Sequence, residues 1–259
     1  MFFNASVFLT RFPAPRWVRF NHRLLQLSAV YFPAVGLCLG VFGALIYMLA
    51  SAIFAPNIAL LLLMSAAIYA TGAFHEDGWA DTCDALGGGY DPASVKRIMK
   101  DSRLGTYGVI GLIGILALKY VALLQLSLSL PALVVIYMVG QVYSRWLAIT
   151  VMWQLPYAQD DDVSKSKPLA TAVSRKTLWL SAIPLVVVLA IWAVYLVVAN
   201  ATAPVCAWFL PLLLGYLARE IMMRKLRRAL NGFTGDGLGA VQQISEVIFY
   251  LGCAAVLVG

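Results

Sequence analysis

Residues 58–84 read IALLLLMSAAIYATGAFHEDGWADTCD, an apolar run that leads directly into an acidic segment. The run Ile58–Ala73 contains no charged side chain, which predicts a helix inside a lipid bilayer. The residues after it include four carboxylates, at Glu76, Asp77, Asp81 and Asp84. This stretch therefore predicts a membrane helix followed by a polar segment at the membrane surface.

The same apolar character extends over the whole chain. Hydrophobic residues make up 62% of its 259 residues and charged residues only 12%, whereas an average soluble domain has about 25% charged residues. Runs about long enough to cross a ~30 Å hydrocarbon core are Val35–Ile53, Ile58–Ala73, Tyr107–Leu126, Pro131–Trp153, Leu178–Ala199, Pro204–Ala218 and Ala240–Val258. The sequence predicts an all-α, polytopic integral membrane bundle of about seven transmembrane helices plus interfacial helices. It is expected to form one domain over residues 1–259.

The basic residues predict how these helices are oriented. Lys and Arg are retained in short cytoplasmic loops, and all but two of the 19 basic residues precede the first run or follow the second, fourth and sixth. The exceptions are Arg145, inside the fourth run, and Lys119, which is expected to extend its amine to the interface. The N-terminus and the polar loops are therefore expected in the cytoplasm. The net charge of +7 is attributed to this orientation and to anionic lipids, because no nucleic-acid-binding module is visible.

Six of the twelve acidic residues fall within residues 76–101. If the second helix continues past Phe74, then Asp77, Asp81 and Asp84 lie within an arc of roughly 60° on one helical face. Carboxylates placed so close together repel each other unless a cation compensates, and hard oxygen ligands suit Mg²⁺ or Mn²⁺. The spacing therefore predicts a divalent metal site.

Two residues near this trio have simpler expected roles. Asp91 precedes Pro92, the pattern of a helix N-cap followed by proline at the first helical position. His75 is a lone histidine at an interface, where packing or hydrogen bonding is the commoner role. Asp91 is therefore interpreted as structural, and His75 is not assigned to the metal.

Three further segments combine glycine with polar side chains. Gly87-Gly88-Gly89 follows the carboxylates and would let the backbone approach a ligand. The segment Asp101–Gly108 suits phosphate binding at a helix N-terminus, with ordinary capping by Asp101 or Ser102 as the alternative. Asn231–Ala240 has four glycines and is interpreted as a loop that holds a ligand, with a plain connector as the alternative.

Besides Lys119 in the third run, two of the apolar runs contain a charged residue. Arg145 follows Gln141 by one turn in the fourth run, and Glu246 lies one or two turns inside the last run. Such residues are costly at membrane depth and are usually functional. The simplest interpretation is that they pair with each other.

Five ordered blocks of the sequence resemble the cobalamin synthase family, the adenosylcobinamide-GDP ribazoletransferases of the last steps of vitamin B12 assembly. The blocks are Phe8–Pro13, Tyr31–Gly36, His75–Asp84, Asp101–Gly108 and Thr234–Ala240. The resemblance implies a transferase that joins adenosylcobinamide-GDP to α-ribazole or its 5′-phosphate, releases GMP, requires Mg²⁺ and acts at the bacterial inner membrane. Ala85 and Gln159 depart from the family pattern, where glycine and arginine are usual.

The acid pattern and the resemblance together give an expected role to each site residue. The expected metal ligands are Glu76, Asp77, Asp81 and Asp84. The expected catalytic residues are Asp236, as ligand or general base, together with Asp101, Arg103 and Arg145. The expected substrate-binding residues are Gly87, Gly88, Ser102, Asn231 and Thr234. The expected partners are the two substrates and membrane lipid, a homo-oligomer is compatible with the sequence, and no nucleic acid is expected.

Other classes of membrane protein explain less of this pattern. A secondary transporter would place ionisable residues at mid-span to relay protons or ions, whereas here the acids cluster near the ends of the runs. A CDP-alcohol phosphotransferase uses similar chemistry but carries a downstream Gly-x-x-x-Asp-x-x-x-Asp that this chain lacks. A membrane scaffold would leave the acid-glycine segments unexplained. The transferase is therefore the preferred hypothesis.

Overall fold

The computed structural model describes residues 1–18, 22–158, 173–199 and 205–258. The helices in chain order are α1 (Phe2–Leu9), α2 (His22–Leu27), α3 (Phe32–Ser51), α4 (Pro56–Thr71), α5 (Phe74–Gly88), α6 (Pro92–Met99), α7 (Thr106–Leu126), α8 (Leu130–Gln154), α9 (Arg175–Ser181), α10 (Ile183–Val198), α11 (Leu210–Leu230) and α12 (Gly235–Val258). Short 3₁₀ turns precede α3 and α11. The described residues form no β-strand, so the all-α prediction is confirmed.

Five helical segments in the described ranges are long and apolar enough to cross a membrane, namely Ser28–Ser51, Thr106–Leu126, Leu130–Gln154, Arg175–Val198 and Gly235–Leu257. Helices α4 and α5 would make a sixth span if they are counted together, although they meet at 86°. The polytopic membrane bundle is thus confirmed, whereas the predicted number of seven spans is not.

The sixth predicted run accounts for much of this difference. Its first residue, Pro204, lies outside the described residues, and α11 continues well beyond its predicted end at Ala218 to Leu230. The added part of α11 contains Arg219, Glu220, Arg224, Lys225, Arg227 and Arg228. A helix with that many charges does not qualify as a span by its composition.

The second apolar run ends sooner than expected. Helix α4 stops at Thr71, and both Gly72 and Ala73 adopt left-handed backbone conformations, with φ of 67° and 59°. Two such residues in succession break the helix. The second helix therefore does not continue past Phe74, and α5 is a separate helix turned by 86°. The three clustered aspartates nevertheless share one helix, because residues 77, 81 and 84 all lie within α5.

Helix α12 is the central element of the bundle. It packs against α5, α7, α8 and α11, while α3 packs against α4 and α8. Large side chains such as Phe249 and Tyr250 are fully buried where α12 meets this core. Helix α1 has eight residues, too few to cross a bilayer, and packs against α3.

The two segments that contain the predicted site acids, residues 75–84 and 231–240, lie at the same end of the bundle. Helix α5 contacts α6, α7 and α12, and α6 contacts α11. The turn before α12 is joined to the segment after α8, because Phe233 N donates to Pro156 O and Ala158 N donates to Phe233 O, each at 2.9 Å. Gln159 and the predicted solvated run Asp160–Asp162 lie outside the described residues.

Candidate active site

Four aspartates come together where α5 crosses α12. Asp77 is exposed, Asp81 is half-buried and Asp84 is buried along α5. The carboxylates of Asp77, Asp84 and Asp236 are all close enough to Asp81 to act on it electrostatically. The structure therefore brings Asp236, 155 positions further along the chain, to the carboxylates that the helical spacing predicted.

Glycines allow α5 and α12 to approach each other closely where they cross. A Cβ atom on Gly78 would lie 2.8 Å from the carbonyl oxygen of Asp236 and 2.9 Å from its Cα. A Cβ atom on Gly239 would lie 3.3 Å from the carbonyl oxygen of His75. The two backbones can approach this far because neither position has a side chain. Most of the predicted ligand-holding loop is thus helix, since α12 begins at Gly235.

The remaining polar residues of that segment have local roles at helix ends. Thr234 Oγ1 accepts a hydrogen bond from Gly237 N at 3.1 Å, as an N-terminal cap does. Asn231 ends α11 in the left-handed conformation, with φ of 54°. Both residues lie within five positions of Asp236, and their binding of substrate stays a prediction.

Asp84 caps a helix that is distant in sequence. Its Oδ2 accepts from Gly105 N at 2.7 Å and its Oδ1 accepts from Gly108 N at 2.8 Å. These N–H groups belong to the start of α7, where the first turn has no intrahelical acceptors. Asp101 and Ser102, which the sequence suggested as caps of this helix, do not accept these hydrogen bonds. Both oxygens of Asp84 therefore have a structural function.

Glu76 occupies the interior of the bundle. Its side chain is buried, and its Oε1 accepts a hydrogen bond from Gln243 Nε2 at 2.7 Å. Its other carboxylate oxygen is also enclosed by protein and has no hydrogen-bond partner. Glu76 thus differs from the exposed Asp77 beside it, although both were expected to bind the metal.

The arrangement of these side chains shows how a divalent cation could be bound here. Among the described residues, no three His, Cys, Asp or Glu side chains converge closely enough to enclose a metal ion. Mg²⁺, however, commonly uses one or two carboxylates, with water and substrate phosphates as its other ligands. The carboxylates of Asp77, Asp81 and Asp236 form no ion pair with any described residue. These donors fit a cation that is bound together with the substrate.

Asp101 and Arg103 form an exposed pair between α6 and α7. Arg103 Nη2 lies 2.6 Å from Asp101 Oδ2, and the hydrogen bonds from Arg103 lower the pKa of Asp101 to about 2. Ser102 between them is exposed. This pair adjoins the N-terminus of α7, but it does not cap that helix.

The glycine run Gly87-Gly88-Gly89 is not a flexible loop. Gly87 and Gly88 form the last residues of α5, and Gly89 follows as its C-cap. A Cβ atom on Gly87 would lie within 2.8 Å of three ring atoms of Tyr107, so this glycine allows α5 to pack against the start of α7. The close approach of this backbone to a ligand and the binding of substrate by Gly87 and Gly88 stay predictions. Asp91, by contrast, accepts from Ala93 N and Ser94 N and confirms the predicted cap of α6.

Arg145 lies apart from the aspartates, buried in α8 at 4% exposure. It donates to Gln141 O and Gln141 Oε1 at 2.9 and 2.8 Å. Glu246 accepts from the same Gln141 and pairs with Lys119 at 2.6 Å. Lys119 therefore does not extend to the interface, and Glu246 and Arg145 are linked through Gln141. Because α12 begins at Gly235, Glu246 lies about three turns inside its helix, deeper than expected.

Comparisons with known proteins cover nearly the whole chain. The family described as "Cobalamin-5-phosphate synthase" matches residues 1–254. The adenosylcobinamide-GDP ribazoletransferase of Shewanella frigidimarina is 41% identical over 257 residues, which are 99% of this chain and 94% of that protein. The protein of the same name from Leptothrix cholodnii is 40% identical, over 98% of this chain and 95% of its own length.

The similarity extends to another genus. The adenosylcobinamide-GDP ribazoletransferase of Vibrio cholerae is 38% identical over 254 residues, which cover 97% of this chain and 92% of the relative. No solved structure matches the chain. The match to the family over residues 1–254, together with relatives at about 40% identity, shows that this chain belongs to the cobalamin-5-phosphate synthase family.

Proposed function

We propose that this protein joins adenosylcobinamide-GDP to α-ribazole, or to α-ribazole 5′-phosphate, and releases GMP. The observation that carries the proposal is the cluster of Asp77, Asp81, Asp84 and Asp236 at the crossing of α5 and α12. A diphosphate needs positive charge to neutralise it, and Asp77 and Asp81 in this cluster provide ligands for such a cation. Family membership supports the choice of substrates, since the relatives carry the name of this activity.

The reaction exchanges one phosphorus–oxygen bond for another. A hydroxyl oxygen of α-ribazole forms a bond to the phosphate that bears the cobinamide, and the bond from this phosphorus to the bridging oxygen of the diphosphate breaks. The bridging oxygen leaves with GMP and the electron pair of the broken bond. Asp236 accepts the proton of the attacking hydroxyl as general base, because it faces the α5 carboxylates from the opposite helix.

Asp77 and Asp81 are the proposed ligands of Mg²⁺. They are the most accessible carboxylates of α5, and their spacing of four residues places them on the same helical face. When bound, Mg²⁺ neutralises charge on the phosphate oxygens. Asp84 supports this arrangement by holding the start of α7 against α5. Arg103 lies at the same end of the bundle and is proposed to contact the phosphates once substrate competes with Asp101.

We place the reaction at the cytoplasmic face of the bacterial inner membrane. The aspartate cluster lies at the end of the bundle where α6 and the charged part of α11 meet. Clusters of Lys and Arg mark the cytoplasmic side of membrane proteins. Soluble, highly charged substrates can reach a site in this position directly from the cytoplasm.

The assay uses the purified full chain in lipid nanodiscs with Mg²⁺, adenosylcobinamide-GDP and α-ribazole. We expect GMP and adenosylcobalamin to appear in equal amounts, and both to disappear when EDTA removes the metal. Separate incubations with α-ribazole 5′-phosphate show which acceptor is used faster. Absence of GMP with both acceptors and with either Mg²⁺ or Mn²⁺ would contradict the proposed function.

A further inference from the structure

A second group of charged and polar side chains lies deeper inside the bundle than the aspartates. We call it the interior polar cluster, and its members are Glu76, Lys119, Arg145, Gln242, Gln243 and Glu246. Every member is at most 7% exposed. They come from α5, α7, α8 and α12, and all six line one cavity of ≈ 20 Å³. That volume accommodates about one or two water molecules, so the cluster is not a pocket for either substrate.

The two carboxylates of the cluster have different partners, because Glu246 forms an ion pair and Glu76 accepts only from an amide. Glu246 pairs with Lys119 at 2.6 Å and accepts hydrogen bonds from Gln141 and Gln242. Glu76 accepts from Gln243 at 2.7 Å. With Lys119 and Arg145 as its cations, the cluster has no net charge and therefore does not require an additional metal ion. Burying such groups seldom adds stability compared with apolar side chains, so a positional role explains them better.

The bond from Gln243 to Glu76 connects the two helices of the proposed active site. Glu76 directly precedes Asp77 on α5. On α12, Asp236, Gly239 and Gln243 follow one another at i, i+3 and i+7 and thus share one face. Gly239 contacts the backbone of α5 midway along this face. The Glu76–Gln243 bond therefore links α5 to α12 on the face that carries Asp236, at the residue next to Asp77.

The geometry of Glu76 also makes it a poor metal ligand. One carboxylate oxygen is occupied by Gln243, and the other is enclosed by protein. A catalytic metal also has to contact the substrate, and the cavity that Glu76 lines is too small for either substrate. Asp77, the next residue, is exposed on a different side of α5.

We propose that Glu76 and Gln243 are a positioning pair, which sets the distance between the α5 carboxylates and Asp236 and does not bind the metal. This inference rests on the proposed function, because its readout is GMP release. It assigns Glu76 a role different from the metal ligand that the sequence suggested.

The test compares four variants with the unsubstituted chain in nanodiscs. Glu76→Gln keeps an oxygen that can accept from Gln243, and Glu76→Gln combined with Gln243→Glu restores a charged bond in the reverse direction. Glu76→Ala and Gln243→Ala remove the bond. For each protein, kcat and the Mg²⁺ concentration at half-maximal rate are measured, together with the melting temperature.

A positioning pair predicts that Glu76→Gln and the exchanged pair retain kcat within a few-fold. It also predicts that both alanine variants lose at least about tenfold in kcat, since small misplacements of reacting groups are costly. The Mg²⁺ concentration at half-maximal rate should be unchanged in all four. If an alanine variant fails to fold, Glu76→Gln and the exchanged pair still decide the question.

The opposite results would overturn the inference. They are loss of activity in Glu76→Gln, no activity in the exchanged pair, a several-fold higher Mg²⁺ requirement, or full activity in Glu76→Ala. GMP release by the unsubstituted chain distinguishes this outcome from failure of the proposed function. If it releases GMP while the variants behave as metal-ligand variants, the positioning role alone is wrong.

Discussion

Single carboxylates at the crossing of α5 and α12 differ in function although they are close in sequence. Asp84 has both oxygens bound to backbone N–H groups of α7, and Glu76 faces Gln243 inside the bundle. Asp81 lies between these residues, half-buried and subject to the charge of three other aspartates. The environment of each side chain, and not its residue type, therefore decides which carboxylates are free for a metal and substrate.

Replacing Asp81 by asparagine tests this assignment at a single residue. We expect Asp81→Asn to lower kcat at least about 100-fold, because a metal contributes several kcal/mol to stabilising phosphoryl charge. The melting temperature should stay the same or rise, since a repelling charge is removed. GMP release and thermal unfolding are measured on the same preparation.

Asp91→Asn is the matched control for this change. It removes a charge from the same acid-rich stretch but keeps the cap of α6, because asparagine is as good an N-cap as aspartate. Its activity should be close to that of the unsubstituted chain. Near-normal turnover in Asp81→Asn would exclude Asp81 from the metal site.

Pairs of helices create the site through the contacts that glycines allow. The break at Gly72 and Ala73 turns α5 away from α4, and Gly78 and Gly239 then let α5 lie directly against the first turns of α12. Asp236 would otherwise be held at a larger distance from Asp77. At the level of elements, the proposed active site is thus a helix crossing with acids on both sides.

Replacing Gly78 by alanine tests the importance of this crossing. The added methyl group would meet the backbone of Asp236 at 2.8–2.9 Å, and backbone cannot move aside as a flexible side chain can. We expect Gly78→Ala to destabilise the protein by about 1–3 kcal/mol and to lower kcat at least about tenfold, because the carboxylates separate. Thermal unfolding and GMP release measure the two effects.

Gly114→Ala provides the comparison for this variant. Gly114 lies within helix α7, and a Cβ atom there would have nothing within 4 Å. Its activity and melting temperature should therefore be equal to or above those of the unsubstituted chain. Equal behaviour of the two alanine variants would show that close approach of α5 and α12 is not required.

The molecule as a whole is a membrane bundle with its charges sorted by position. Exposed basic residues gather on α6 and the second half of α11, beside the aspartate cluster. The turn between α7 and α8, at residues 127–129, has no charged side chain. It lies at the end of α7 opposite to the aspartate cluster. This asymmetry predicts that the active site faces the cytoplasm.

Cysteine labelling in intact bacterial cells tests this orientation. Tyr90→Cys and Leu128→Cys place thiols at positions whose present side chains are 97% and 82% exposed, at opposite ends of the bundle. A membrane-impermeant maleimide should label Cys at 128 from outside the inner membrane and label Cys at 90 only after the membrane is permeabilised. The unsubstituted chain gives the background from its own cysteines. Reversed labelling would contradict the proposed orientation.

Several properties follow from sequence because they depend on neighbouring residues alone. The apolar composition determined that the chain is a helical membrane protein, because apolar surface and backbone polar groups both require helices within lipid. The cap at Asp91 and the common face of Asp77, Asp81 and Asp84 were also predicted, since both depend on spacings within one helix. The number of spans was not, because α4 ends at a break where Ala73 adopts a conformation that its residue type does not favour, and because α11 continues into a charged segment.

Tertiary structure decided the contacts between residues that are far apart in the chain. Asp236 joins the α5 aspartates, Asp84 caps α7, and Lys119 meets Glu246 inside the bundle. Nothing in the local sequence identifies these partners, because they depend on which helices approach and how closely. The chain thus determined by itself its membrane class and the residue types available for chemistry. Helix packing alone decided which carboxylates face the proposed site and which hold the helices in place, since a carboxylate's role depends on the groups that surround it.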